Sequence, residues 1–89
     1  MERKKRMQEQ LQQVFQPQGL EVVDDSHRHA GHAGARPEGE THFCVTVISD
    51  HFTGKNRVER HRMVNSALQA EFDSGLHALA ITAKTPEEA

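Results

Sequence analysis

Apolar side chains along this chain recur first at helical spacing, then at strand spacing, then at helical spacing again. Met7, Leu11, Val14 and Phe15 fall at i, i+4, i+7 and i+8, which predicts a helix over residues 2 to 15 with one apolar stripe. Pro17 and Gly19 end it. Leu20 to Asp25 predicts a short strand on the strength of Val22 and Val23. From Ser26 to Gly39 there is no period, and His27, His29 and His32 stand among glycines and Pro37 in what reads as a long loop. Between Thr41 and Ser49, Phe43, Val45 and Val47 alternate with Cys44, Thr46 and Ile48, so both faces of the strand are largely apolar. That pattern belongs to the middle of a sheet.

Phe52, Thr53 and Gly54 make a turn, and Asn56 with Glu59 three residues later resembles a capping box that opens a second helix. Val64, Ala67, Leu68 and Phe72 give that helix its buried face, and Gly75 stops it in the C′ position. Leu76 to Lys84 predicts a third strand, closed by Thr85 and Pro86 with a polar tail behind. The order helix, strand, strand, helix, strand implies an α/β domain of the two-layer α+β kind, with helices on one face of a three-stranded mixed sheet. The first two strands run antiparallel. The crossover helix makes the second and third parallel, with the right-handed sense, and leaves the second strand central.

With 89 residues the chain makes one small domain over 1–89, and an enzyme needing two lobes is excluded. Eleven basic and thirteen acidic residues give a formal charge of −2, so any affinity for nucleic acid has to come from a local patch. Cys44 is the sole cysteine, which forbids an internal disulfide and suits a reducing, cytoplasmic setting. On the face opposite Phe43 and Val45, it reads as an inert buried thiol. Arg3, Lys4, Lys5 and Arg6 are followed by polar residues and not by the apolar run of a secretory signal. No stretch approaches the roughly 20 apolar residues of a membrane span. The sequence holds no triad spacing and no phosphate-cradling glycine loop, and no enzyme is expected.

Seven histidines are an excess for this length, and imidazole is the commonest metal ligand. Leu20-Glu-Val-Val-Asp-Asp-Ser26, Gly39-Glu-Thr-His-Phe43, Phe52-Thr-Gly54, Arg60-His-Arg-Met-Val64 and His77-Ala-Leu-Ala80 with Thr85-Pro86 together resemble the BolA-like proteins over nearly the whole chain. Phe15-Gln16-Pro17 before Leu20 and the histidine-bearing loop resemble the bacterial BolA subgroup most. The resemblance implies a fold similar to type II KH domains, in agreement with the strand order above. Those domains clamp nucleic acid with a Gly-x-x-Gly loop, and Gly54-Lys55-Asn56-Arg57 lacks the second glycine, so that mode does not carry over.

The same resemblance implies partnership with a monothiol glutaredoxin through a shared 2Fe-2S cluster, to which the glutaredoxin and glutathione supply thiolates. It makes His77 the ligand at the start of the last strand and His29 or His32, ahead of His27, the ligand from the loop. No cofactor is expected in the isolated protein, and no membrane partner. By its spacing from Val64 and Leu68, His61 reads as a histidine at the core edge. His42 and His51 flank the central strand and carry no predicted role. The alternative class is a DNA-binding transcriptional regulator. Lys55, Arg57, Arg60 and Arg62 cluster around a turn and a helix start, where phosphate is favoured. Four phosphate contacts predict a salt slope of about −3 to −4 in log K, and reversing Arg57 and Arg60 to Glu is expected to leave the fold intact.

Overall fold

The computed structural model describes residues 2–24 and 41–89. Helix α1 (Glu2–Phe15) comes first, followed by strand β1 (Gly19–Asp24) and strand β2 (His42–Ile48). After a 3-10 turn at Asp50–Phe52 come helices α2 (Arg57–Ala67) and α3 (Gln69–Asp73), strand β3 (Ala78–Lys84) and a last 3-10 turn at Pro86–Glu88. The sheet order is β1-β2-β3. β1 pairs antiparallel with β2 in the register Val22↔Val45, and β2 pairs parallel with β3 in the register Val45↔Ile81. The two-layer fold and the central place of β2 are as the hydrophobic pattern requires.

Helix α1 buries Met7, Leu11 and Phe15, while Val14, at the edge of the same stripe, stays exposed. Those three pack with Val22, Phe43, Val45, Val47, Phe52, Val64, Leu68 and Leu76 into one core between the helices and one face of the sheet. The Ser49 hydroxyl, fully buried, donates to Phe15 O at 2.7 Å and ties the end of α1 to the end of β2.

Three expectations change. The second helix is interrupted at Leu68 (φ −107°, ψ 16°), so the stripe from Val64 to Phe72 is shared by two helices. Leu68 is buried, and its N–H is shared between Val64 O and Asn65 O. Among the described residues no second layer covers the opposite face of β2: Cys44 is exposed and Thr46 and Ile48 are half-buried. Cys44 is therefore not the buried thiol that the alternation predicts, because the described helices form one layer, on the side of Phe43, Val45 and Val47. The polar tail is folded, with Glu88 tied to Arg60.

Candidate functional site

The chain reaches His77 through a tightly specified helix end. Gly75 has φ +127°, a conformation that side chains resist, and serves as the C′ residue of α3. Leu76 N–H donates to Glu71 O at 2.8 Å and Gly75 N–H to Phe72 O at 3.4 Å, the paired bonds of a Schellman end. Leu76 then anchors in the core, and His77 emerges exposed one residue before β3. Its backbone is not loose. Thr41 O accepts the N–H of His77 at 2.7 Å and that of Ala78 at 3.1 Å, so the parallel ladder begins one residue ahead of both strands.

That register sets a second imidazole beside the first. His42 is paired with Ala78, and its ring centroid lies 5.2 Å from that of His77 with the planes at 49°. His42 is 6% exposed, and its Nδ1 shares a 2.9 Å hydrogen bond with the Oγ1 of buried Thr41. Burial of such a polar ring is costly unless it is bonded, and the threonine hydroxyl meets that demand at Nδ1. Sequence reasoning gave His42 no role. The signal was present in the pattern of a parallel pair, since the residues opening two adjacent parallel strands come to the same end of the sheet.

Among the described residues no group of three or more His, Cys, Asp or Glu could hold a metal ion. His27, His29 and His32 lie outside the described residues. The described part of the chain thus offers one exposed imidazole at this end of the sheet, His77, which suits a site completed by other groups and not a closed four-ligand centre.

The four basic residues read as one patch do not share one surface. Lys55, Arg57, Arg60 and His61 line an open groove of about 580 Å³ between the start of α2 and β3, together with Lys84 and Glu88. Arg62 instead borders a different pocket, with Val14, Phe15, His51 and Met63. Arg60 is committed to the fold: its Nε donates to Lys55 O at 2.8 Å, and its Nη1 to Ala83 O at 3.2 Å and to Glu88 Oε1 at 2.6 Å. This Arg60 guanidinium, with the Thr85 backbone N–H, lowers the Glu88 carboxyl to about 2. The start of α2 is also occupied. Asn56 Oδ1 accepts the Glu59 N–H and Glu59 Oε1 accepts the Asn56 N–H, both at 2.9 Å, so a carboxylate already sits where a phosphate would approach. His61 is half-buried at the groove wall, as a core-edge residue should be.

A mixed three-stranded sheet with its helices on one face, an exposed histidine ahead of the last strand and a groove with basic residues along the far end of that strand define a small α+β domain. The family model described as BolA-like protein matches residues 11–88, and the chain belongs to that family. It is 51% identical over 87 residues to SufE-like protein 1, chloroplastic/mitochondrial, of Arabidopsis thaliana, covering 93% of this chain and 24% of that protein. With Protein BOLA1, chloroplastic, of the same plant it shares 50% over 88 residues, covering 97% of this chain and 55% of that protein. The DNA-binding transcriptional regulator BolA of Escherichia coli is 45% identical over 85 residues, with 96% and 77% covered. The solved BolA domain of SufE1 from Arabidopsis thaliana superposes with a TM-score of 0.91 at 48% identity, covering 100% of this chain and 98% of that one. Among the described residues no helix is long and apolar enough to cross a membrane.

Proposed function

We propose that this BolA-like domain is a binding and regulatory partner of a monothiol glutaredoxin, with which it shares a 2Fe-2S cluster in iron-sulfur trafficking or iron regulation. The observation that carries the reading is His77: an exposed imidazole whose backbone is pinned to Thr41 O, opening the last strand beside a second imidazole. Imidazole on iron in place of thiolate raises the potential of such a cluster, as in Rieske centres. Two donors from this chain suffice where the glutaredoxin and glutathione bring thiolates, and His29 or His32 remains the proposed loop ligand beside His77. In this reading the chain is a binding protein and not an enzyme.

The test is reconstitution of the chain with a monothiol glutaredoxin, glutathione, iron and sulfide. A heterodimer is expected whose visible spectrum differs from that of the glutaredoxin homodimer, because imidazole replaces thiolate. His77→Ala removes that difference; an unchanged spectrum and an unchanged complex would show the ligand assignment to be wrong. His29→Ala and His32→Ala should differ, with cluster lifetime shortened by one of them alone.

The second reading, a DNA-binding regulator, is favoured by the cationic groove and by the name of the Escherichia coli relative. With Arg60 held by Glu88 and Arg62 on another surface, the groove presents Lys55, Arg57 and Lys84 to a phosphate backbone.

A further inference from the structure

We propose that His42 is a positioning residue for His77: its buried ring is the platform on which the exposed imidazole rests, and Thr41 keys that ring in place. The inference rests on the reading of His77 as a metal-facing imidazole and adds a residue to it.

His42 opens β2 on the same side as Cys44, yet Cys44 is exposed and His42 is 6% exposed. A buried position on a sheet ordinarily takes an apolar side chain, since an imidazole brings two ring nitrogens that need partners. Here one of them is met by a hydroxyl that is itself buried: Thr41 is 2% exposed and its Oγ1 lies 2.9 Å from His42 Nδ1. The same Thr41 holds residue 77 from the backbone side through the 2.7 Å bond to its N–H. The dipeptide Thr41-His42 therefore grips His77 twice, once by main chain and once by ring contact at 5.2 Å. An exposed side chain otherwise loses rotamer freedom when it binds, and a partner that orients it beforehand removes part of that cost. Outer partners that hydrogen-bond a metal-ligating histidine are worth roughly 10–100-fold in metal affinity, and a ring contact that only orients the ligand belongs at the low end of that range.

The experiment uses the full chain with His42→Ala, His42→Phe and Thr41→Val, read in two ways. In the isolated protein, NMR couplings across the χ1 bond of His77 report whether its ring holds one rotamer. In the glutaredoxin heterodimer, the decay of visible absorption reports cluster lifetime. His42→Ala is expected to average the His77 couplings and to shorten the lifetime by about tenfold. His42→Phe, which keeps an aromatic platform and removes both nitrogens, restores most of both, and Thr41→Val falls between.

Wild-type couplings and lifetime in His42→Ala would overturn the proposal. So would a His42→Phe protein that loses the imidazole spectrum while His77 keeps its rotamer, since His42 would then itself be a ligand. If the wild-type chain forms no heterodimer cluster, the metal reading fails, while the couplings in the isolated protein still decide whether His42 holds His77.

Discussion

At the scale of single residues, one partly buried charge cluster joins α1 to α3. Glu71 on α3 is 8% exposed, and Arg6 grips its carboxylate with two bonds of 2.9 Å, Nε to Oε2 and Nη2 to Oε1. Arg3 adds a 3.0 Å bond to Oε1 and reaches Glu71 O and Ser74 Oγ at 2.9 Å. The Arg6 hydrogen bonds, aided by Arg3, hold the Glu71 carboxyl below its usual value of 4.5 despite the opposing effect of burial. A carboxyl whose pKa is lower when folded contributes stability above its unfolded value, and that contribution fades as pH falls through the folded one. Glu71→Gln is therefore expected to cost about 2 kcal/mol at pH 7, by the logic of a partly buried pair that loses one member. The cost should shrink as urea melts are repeated from pH 7 down to pH 3; an equal penalty at both ends would mean that packing, not charge, is what Gln disturbs. None of this was legible in the sequence, where Arg3 and Arg6 read as a basic start. The pairing spans 65 to 68 residues, and local periodicity carries no information at that separation. His42 beside His77 is a different case, since the parallel pairing of β2 with β3 already brings the two strand openings together.

At the scale of elements, the features written locally were legible and those written by contact were not. The stripe of Met7, Leu11 and Phe15 and the capping box of Asn56 and Glu59 depend on near neighbours, and each stands where the spacing puts it. The break at Leu68 and the folded tail depend on what the segment meets in space. The tail matters for the groove, because Glu88 closes on Arg60, whose side chain is 14% exposed, while Arg57 stands out in solvent. The two arginines, equivalent by sequence, should thus behave differently when reversed. Arg57→Glu is expected to stay within about 0.5 kcal/mol of wild type, as surface changes do. Arg60→Glu sets a second carboxylate against Glu88, strips Ala83 O and Lys55 O of their donor, and should lower the melting temperature by several degrees. This corrects the expectation that both reversals leave the fold intact. If the groove binds duplex DNA, Lys55, Arg57 and Lys84 give a slope in log K of about −2 to −3, at roughly −0.9 per phosphate. Fluorescence anisotropy across a salt series, run beside thermal melts, checks both. A slope of about −3.6 or steeper would mean that Arg60 or Arg62 also reaches phosphate.

At the scale of the whole molecule, the described helices form one layer over one face of the sheet, and Cys44 and Ala80 on the other face are exposed. Val23, Cys44 and Ala80 are aligned across it through the registers Val23↔Cys44 and Cys44↔Ala80, and all three are exposed. The alternation along β2 could not reveal this, because Cys44, Thr46 and Ile48 are apolar or small enough for burial, and side-chain type does not report whether a second layer exists. Layer number is set by how many helices the chain supplies, and every helix described here packs on the side of Phe43, Val45 and Val47. The accessibility of the thiol decides the point directly. A small alkylating reagent such as iodoacetamide should modify Cys44 in the native protein at a rate near that of a denatured sample, with far-UV circular dichroism unchanged by the adduct. A buried thiol would react only through global opening, so its rate would fall by the unfolding equilibrium constant, at least about a thousandfold for a small stable domain. Protection of that size would show that the second face of the sheet is covered in solution. Rapid alkylation together with an unchanged fold would establish that this BolA-like sheet is single-faced, with its only cysteine on the open side.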